Sequence, residues 1–232
     1  MDITKAFTYV FDDKDWMMKV LIGALLSIAG FLIIPGFIIA GYSIQILRNV
    51  KKGVAEPLPE WAEWGEMLKD GFMVALAQII YSLPIIIIAC IAFGAAGGLA
   101  SFENLDEDAI AAAMISTFGV VFCLILIFGI AMAFISPALQ IQYVKHGDLA
   151  SMFRFSEIIA LIRENISDIL LVVGVMIGTA FAFGIVSTVL GVIPCLGAII
   201  SIILSLAFSP YMAMVSGHLM GQLAQRVEGS AA

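Results

Sequence analysis

The chain has few charged residues, and long parts of it contain no basic residue at all. Only 12% of its 232 residues are charged, whereas 62% are hydrophobic. Soluble domains have roughly 25% charged and 45–50% apolar residues. This composition excludes an ordinary soluble domain and is typical of a protein embedded in lipid. Because each span takes about 20 residues, we expect residues 1–232 to form a single membrane domain.

The sequence also lacks the residue patterns that mark metal sites, disulfide frameworks and nucleic-acid surfaces. Its three cysteines, Cys90, Cys123 and Cys195, are an odd number without metal-ligand spacing. Its formal charge of −7 comes from clustered acidic residues, and no basic patch follows the chain. No nucleophile stands beside a base, and no acid–base pair is evident. We therefore expect no enzymatic activity, no cofactor, no metal and no nucleic-acid partner.

The basic residues follow a regular pattern along the chain. None occurs between Lys19 and Arg48, between Lys69 and Lys145, or between Arg163 and Arg226. Loops on the cytoplasmic side of a membrane carry an excess of Lys and Arg. Folding each basic-free region as a hairpin places every basic residue on that side. The pattern predicts a multi-pass protein of the cell (plasma) membrane with both termini in the cytoplasm.

The expected fold is an all-α membrane protein, a helical bundle of about six spans arranged as three hairpins. The hairpins are predicted at approximately residues 17–48, 71–144 and 168–225. In the second, the acidic linker SFENLDEDA separates two long apolar runs and belongs outside. Pro84 and Pro137 lie within those runs and are expected to kink their helices.

The first apolar region allows two interpretations. One continuous helix of about 30 residues would be ~45 Å long, which exceeds the ~30 Å hydrocarbon core. A hairpin that turns at residues 33–37, where Pro35-Gly36 breaks the helix, would instead give two short helices. A single span would leave Lys5, Lys14 and Lys19 outside, so the charge pattern favours the hairpin.

A segment that mixes apolar and charged residues precedes each hairpin, at approximately residues 2–16, 58–70 and 149–165. In the third segment, apolar residues recur at helical spacing, which predicts an amphipathic helix at the membrane surface. Trp61 and Trp64 are three residues apart, which would place both indoles on one side of a helix at headgroup depth. The predicted membrane-interface residues are Trp16, Trp61, Trp64, Phe153, Arg154 and Phe155.

Small residues recur at a spacing of four in the third hairpin. One stripe comprises Gly174, Gly178 and Ala182, and the other comprises Ala213, Gly217 and Gly221. Such stripes allow helix backbones to approach closely. Packing within the chain is the favoured interpretation, and an interface with a second copy or a partner protein is the alternative.

The uncharged interior leaves few polar candidates for a path through the membrane. Charged residues in spans usually mark ion or proton transport, so their near absence argues against both. Gln78, Gln140, His218 and Gln222 are the remaining candidates for lining a pore. His218 and Gln222 lie four apart on one helical face, and hydrogen bonding to a neighbouring helix is the favoured interpretation for them.

Several segments resemble one family of prokaryotic integral membrane proteins, catalogued as domain of unknown function 4013. The similarity extends over nearly the whole chain. Its most specific parts are Leu-Pro-Glu-Trp at residues 58–61 and Phe-Arg-Phe-Ser-Glu at residues 153–157. The resemblance implies an integral membrane protein and supplies no catalytic motif.

Two functions are compatible with these observations. The first is a membrane scaffold or accessory subunit that organises lipid or a larger complex. Its expected partners are the bilayer and, within it, a partner protein or a second copy of the chain. The alternative is a pore or carrier for a neutral or weakly polar small solute.

Overall fold

The computed structural model describes residues 1–99, 106–193 and 196–229, and these are helical apart from short connections. The helices are α1 (Ile3–Asp12), α2 (Trp16–Ile28), α3 (Ile34–Lys51), α4 (Trp64–Leu99), α5 (Glu107–His146), α6 (Phe155–Glu164), α7 (Ile166–Gly191) and α8 (Leu196–Gly229). Short 3₁₀ turns at Ala29–Leu32 and Ala150–Phe153 precede α3 and α6. The all-α prediction is confirmed for this part of the chain.

Four helices, α4, α5, α7 and α8, are long and apolar enough to cross a membrane. They contain 26 to 40 residues, which corresponds to about 39 to 60 Å of helix. The protein is therefore a multi-pass membrane protein. Pro84 and Pro137 lie inside α4 and α5, as predicted. The predicted acidic linker lies largely outside the described residues.

The first apolar region does not provide two further spans, so the prediction of six is not confirmed. α2 has 13 residues, about 20 Å of helix, which is too short to cross a ~30 Å core. α3 has 18 residues, but it ends in Arg48 and Lys51. The chain does turn between them, and Ile33 adopts a positive φ of 66° at that point. The turn was predicted, whereas the full crossing was not supported.

The three predicted interfacial segments have different structures. α1 and α6 are separate helices, and the Asp2 side chain caps α1 by accepting a hydrogen bond of 2.9 Å from the Lys5 backbone N–H. The segment at residues 58–70 is not a separate helix. Residues 58–63 form an irregular connection, and α4 starts at Trp64 and continues directly into the membrane-spanning part.

The protein core lies at one end of the bundle, where α3 packs between α4 and α8. Tyr42, Ile46 and Leu47 of α3 are almost completely buried there. α3 approaches α4 closely because each helix has a glycine at the crossing, Gly41 in α3 and Gly71 in α4. A Cβ atom on Gly41 would overlap the Met67 carbonyl oxygen, and one on Gly71 would overlap the Phe37 carbonyl oxygen. The two helix backbones therefore touch at this crossing.

Ion pairs connect the helices at this same end, which we call the charged end. Arg226 of α8 contacts Asp168 of α7 at 2.8 Å, and Lys51 of α3 contacts Glu228 of α8 at 2.6 Å. Another pair joins α3 to α4 and is described below. These contacts bring together charged residues from all three regions of the chain, as a one-sided charge pattern requires.

Beyond the charged end, the spanning helices are poorly covered by the rest of the chain. In the most apolar window of α5 only 6% of the residues are buried, and in α4 only 11%. Large apolar side chains such as Ile115, Ile127, Phe181 and Ile203 are more than 60% exposed. These apolar faces are not covered by the described residues of the chain.

Candidate functional site

A buried charge cluster joins three helices at the charged end. The Arg48 guanidinium of α3 makes a bidentate ion pair with the Asp70 carboxylate of α4. The Tyr143 hydroxyl of α5 donates a hydrogen bond of 2.6 Å to the same carboxylate, and the Tyr143 ring lies 5.8 Å from the guanidinium carbon. Asp70 is only 4% exposed. Every strong contact of this carboxylate is internal, which indicates a structural role.

A second buried charge lies at Lys19 in α2. Its ammonium contacts the Asp13 carboxylate at 2.8 Å, the Glu60 carboxylate at 2.6 Å and the Leu58 carbonyl oxygen at 3.3 Å. Burial disfavours the charged ammonium, but the hydrogen bonds and charges of the two carboxylates outweigh burial and raise the pKa of Lys19. Lys19 therefore remains charged and fixes α2 to the connection between α3 and α4.

Neither Lys19 nor Asp70 was predicted from the sequence to be a paired residue. The partners of Asp70 are distant in sequence, 22 residues away at Arg48 and 73 away at Tyr143. Lys19 has one near partner, Asp13, and one distant partner, Glu60. The one available signal was that Asp70 and Lys19 stand at the boundaries of apolar runs.

Two of the predicted pore-lining residues, Gln78 and Gln140, are brought together. Both side-chain amides donate hydrogen bonds to the Ser136 hydroxyl oxygen, at 3.1 Å from Gln78 and 3.3 Å from Gln140. Both glutamines line a cavity of about 300 Å³ between α3, α4, α5, α7 and α8. Ser43 and Ser216 add hydroxyl groups to its wall. These four polar side chains lie among apolar lining residues such as Met176 and Met212.

The other two, His218 and Gln222, lie apart from this cavity, at the contact between α1 and α8. The His218 ring stacks on Tyr9 with a centroid distance of 4.3 Å, and its Nδ1 lies 3.0 Å from the Gln222 amide nitrogen. Gln222 also accepts a hydrogen bond of 2.6 Å from the Asp2 N–H and donates one of 2.9 Å to the Asp2 carbonyl oxygen. These contacts fix α1 to α8. A different cavity, of about 420 Å³, adjoins them.

The two small-residue stripes have different surroundings. A Cβ atom on Gly217 would lie 2.5 Å from the Ser43 carbonyl oxygen, and one on Gly221 would lie 2.5 Å from the Val50 Cβ. The α8 stripe therefore packs against α3, with Ala213 at the cavity wall. In contrast, a Cβ atom on Gly174 or Gly178 would have no other part of the described structure within 4 Å.

The difference predicts unequal effects of enlarging the glycines. Gly217→Leu should lower the free energy of unfolding by about 1–3 kcal/mol, because the added side chain forces α8 away from α3. Gly174→Leu should change the stability of the isolated protein by about 0.5 kcal/mol or less, because no described residue lies within 4 Å of an added Cβ. Thermal unfolding in nanodiscs, followed by circular dichroism, would measure both. Equal losses would contradict the assignment of only the α8 stripe to internal packing.

The predicted interface residues are also divided. Trp61 is only 9% exposed and lies inside the protein, where it stacks on Tyr42 at 4.0 Å and donates a hydrogen bond of 3.0 Å to the Lys19 carbonyl oxygen. Its predicted place at headgroup depth assumed a helix that the connection at residues 58–63 does not form. Trp64 is 41% exposed. Trp16 is half-buried, and its ring makes an edge-to-face contact with Phe11 at a centroid distance of 5.0 Å.

The second group of predicted interface residues lies at the start of α6. Phe153 stacks on Tyr81 at 5.4 Å, and Phe155 meets the edge of the same ring at 5.8 Å. The Tyr81 hydroxyl donates a hydrogen bond of 2.8 Å to the Met152 carbonyl oxygen. Arg154 is exposed and pairs with Glu157 at 3.3 Å. The two phenylalanine rings thus hold the start of α6 against α4, whereas the Arg154 side chain is exposed at the surface.

The residues described by the structure include no cluster of three or more His, Cys, Asp or Glu side chains arranged to hold a metal ion. The buried charges at Asp70 and Lys19 pair with other side chains, whereas the cavity around Gln78 and Gln140 is lined by neutral side chains.

In a comparison with known proteins, residues 25–193 match one family model, described as a protein of unknown function (DUF4013). An uncharacterized protein of Methanocaldococcus jannaschii is 31% identical over 150 residues, which cover 64% of this chain and 50% of that protein. The chain thus spans about half the length of the curated relative that it matches. No solved structure matches the chain.

Proposed function

We propose that this chain, which belongs to the DUF4013 family of proteins of unknown function, is a non-enzymatic accessory subunit or scaffold of a larger membrane assembly. Family membership supplies no activity, so the proposal rests on the molecule itself. The observation that carries it is the uncovered stripe of Gly174, Gly178 and Ala182 on α7. We place the charged end and both termini in the cytoplasm, at the plasma membrane, on the basis of the basic residues.

The α7 stripe has the form of a helix-packing surface, and no described helix of this chain packs on its two glycines. Its counterpart on α8 uses the same spacing to bring α8 against α3. In a bilayer, small residues favour close contact between helices because the flanking side chains and backbones then gain van der Waals contacts. Lipid chains do not require a glycine groove. A helix of a neighbouring protein fits the stripe better than lipid does.

Few residues of the spanning helices are buried by the rest of the chain, and this favours an accessory subunit or scaffold over a pore or carrier. A transport path across the bilayer requires helices that enclose it along their length. Here the buried residues are concentrated at the charged end, and most of the apolar window of α5 faces outward. The pore or carrier alternative would require other copies of the chain to complete an enclosure.

Enlarging the α7 stripe should separate the protein from its assembly. We expect Gly178→Leu to convert the assembly largely to free chains, because the leucine blocks close approach of a neighbouring helix. Gly119→Leu is the matched control, since Gly119 is an exposed glycine of α5 whose Cβ would also meet nothing within 4 Å. The measurement is the native mass of each variant extracted in its own lipid. Unchanged mass for Gly178→Leu would overturn the proposed role of the stripe.

A further inference from the structure

We infer that the cavity around Gln78 and Gln140 is a binding site for a neutral group that carries hydroxyls. Such a group is found on the uncharged headgroup of an acylglycerol-type lipid and on a free small polyol. The inference goes beyond the proposed accessory role and does not depend on it, because it rests on the cavity alone.

The wall of the cavity determines the charge of its ligand. Its polar side chains are Ser43, Gln78, Gln140 and Ser216, and the rest of the lining is apolar, including Met176 and Met212. Among the residues that the structure describes, no Asp, Glu, Lys, Arg or His side chain lines it. A charged ligand in this place would lose its hydration without gaining an opposite charge, which is strongly unfavourable. The ligand is therefore neutral.

The hydrogen bonds already made in the wall determine which polar groups remain free. Both glutamine amides donate to Ser136, which orients their side chains. Their side-chain oxygens have no hydrogen-bond partner among the described residues and can accept hydrogen bonds from a ligand. The Ser43 and Ser216 hydroxyls can donate as well as accept. A hydroxyl group is a small neutral group that complements this set, because it also donates and accepts hydrogen bonds.

Size and position agree with a small headgroup. The cavity, about 300 Å³, corresponds to roughly ten water molecules at ~30 Å³ each and is at the small end of ligand pockets. Gln78 is eight residues beyond Asp70 along α4, a rise of about 12 Å from the charged end toward the apolar part of the helix.

Three probes test the inference on the full chain in phosphatidylcholine nanodiscs. They are monoolein, which has two free hydroxyls, monoolein with both hydroxyls methylated, and free glycerol. Native mass spectrometry counts the retained lipids, and equilibrium dialysis measures labelled glycerol. We expect one monoolein per chain and roughly tenfold weaker retention of the methylated form, since one or two hydrogen bonds are lost. Glycerol binding would identify a site for a free polyol, whereas retention of monoolein alone would identify a lipid headgroup site.

Variants locate the bound probe. Gln78→Leu should weaken monoolein retention by roughly tenfold, because it removes an acceptor from the wall. Gln45→Leu is the control, since Gln45 is a half-buried glutamine of α3 outside this cavity, and it should have no effect. Equal retention of both lipid forms by the native chain would overturn the inference, whether or not the variants fold. So would binding of none of the probes, or equal effects of the two variants.

Discussion

Asp70→Ala is expected to lower the free energy of unfolding by about 3 kcal/mol. The substitution leaves the Arg48 guanidinium without its carboxylate and the Tyr143 hydroxyl without its acceptor. Removing one partner of a buried ion pair costs about 3–5 kcal/mol. The lower end of this range applies because the Arg48 side chain is 27% exposed and can be partly hydrated. Thermal unfolding of the protein in nanodiscs would measure the loss.

The control for this prediction is Asp168→Ala. Asp168 also pairs with an arginine of another helix, Arg226, at 2.8 Å, but that arginine side chain is 50% exposed. Exposed ion pairs contribute about 0–1 kcal/mol, so this variant should remain close to the native protein. If the two aspartate variants lost equal stability, the burial of the Asp70 cluster would not be the source of its effect.

Gly41→Leu is expected to have a comparable or larger effect, a loss of about 3 kcal/mol or more. At Gly41 the α3 backbone touches the α4 backbone at Met67, and no rotamer of a larger residue relieves an overlap that starts at Cβ. Overpacking in a core typically costs about 1–3 kcal/mol, and more where a backbone must move. The separation of α3 from α4 would also disturb the nearby pair between Arg48 and Asp70. The same unfolding measurement applies.

Two other glycines on the same helices provide the matched controls. Gly36 of α3 and Gly65 of α4 have no atom within 4 Å of an added Cβ. Leucine there should leave stability unchanged or raise it by up to about 1 kcal/mol, since leucine favours helix more than glycine does. A loss of several kcal/mol in the controls would indicate that the glycines act through helix propensity or insertion rather than through the α3–α4 contact.

The spans α4, α5, α7 and α8 could be predicted from the sequence because both of their signals are local. Each contains an apolar run longer than a bilayer requires, and the basic residues lie only at the ends of the runs. Family membership could also be predicted, from the segments at residues 58–61 and 153–157.

The first apolar region was harder to predict because hydropathy does not separate burial in protein from burial in lipid. Tyr42, Ile44 and Leu47 of α3 are apolar because they pack into the protein core between α4 and α8. The same residues counted toward a membrane span in the sequence. The end of α2 at Ile28, which leaves it shorter than a span, is not marked by hydropathy, because the apolar run continues beyond it.

The placement of Trp61 could not be predicted for a related reason. A spacing of three puts two indoles on one side only when the segment is helical, and α4 begins after Trp61, at Trp64. The indole then stacks on Tyr42, a partner from another helix. The glutamine pair was identified as polar, but its shared contact with Ser136 requires α4 and α5 to be adjacent at a defined register.

The most direct test of the accessory role is the composition of the native protein extracted with its own lipid. Native mass spectrometry of the particle should find a second polypeptide in fixed ratio to this chain, and crosslinks from residues beside Gly178 should reach that polypeptide. A particle that contains only copies of this chain would contradict the accessory role and favour the pore or carrier. A single chain surrounded by lipid alone would contradict the proposal that α7 packs against another protein.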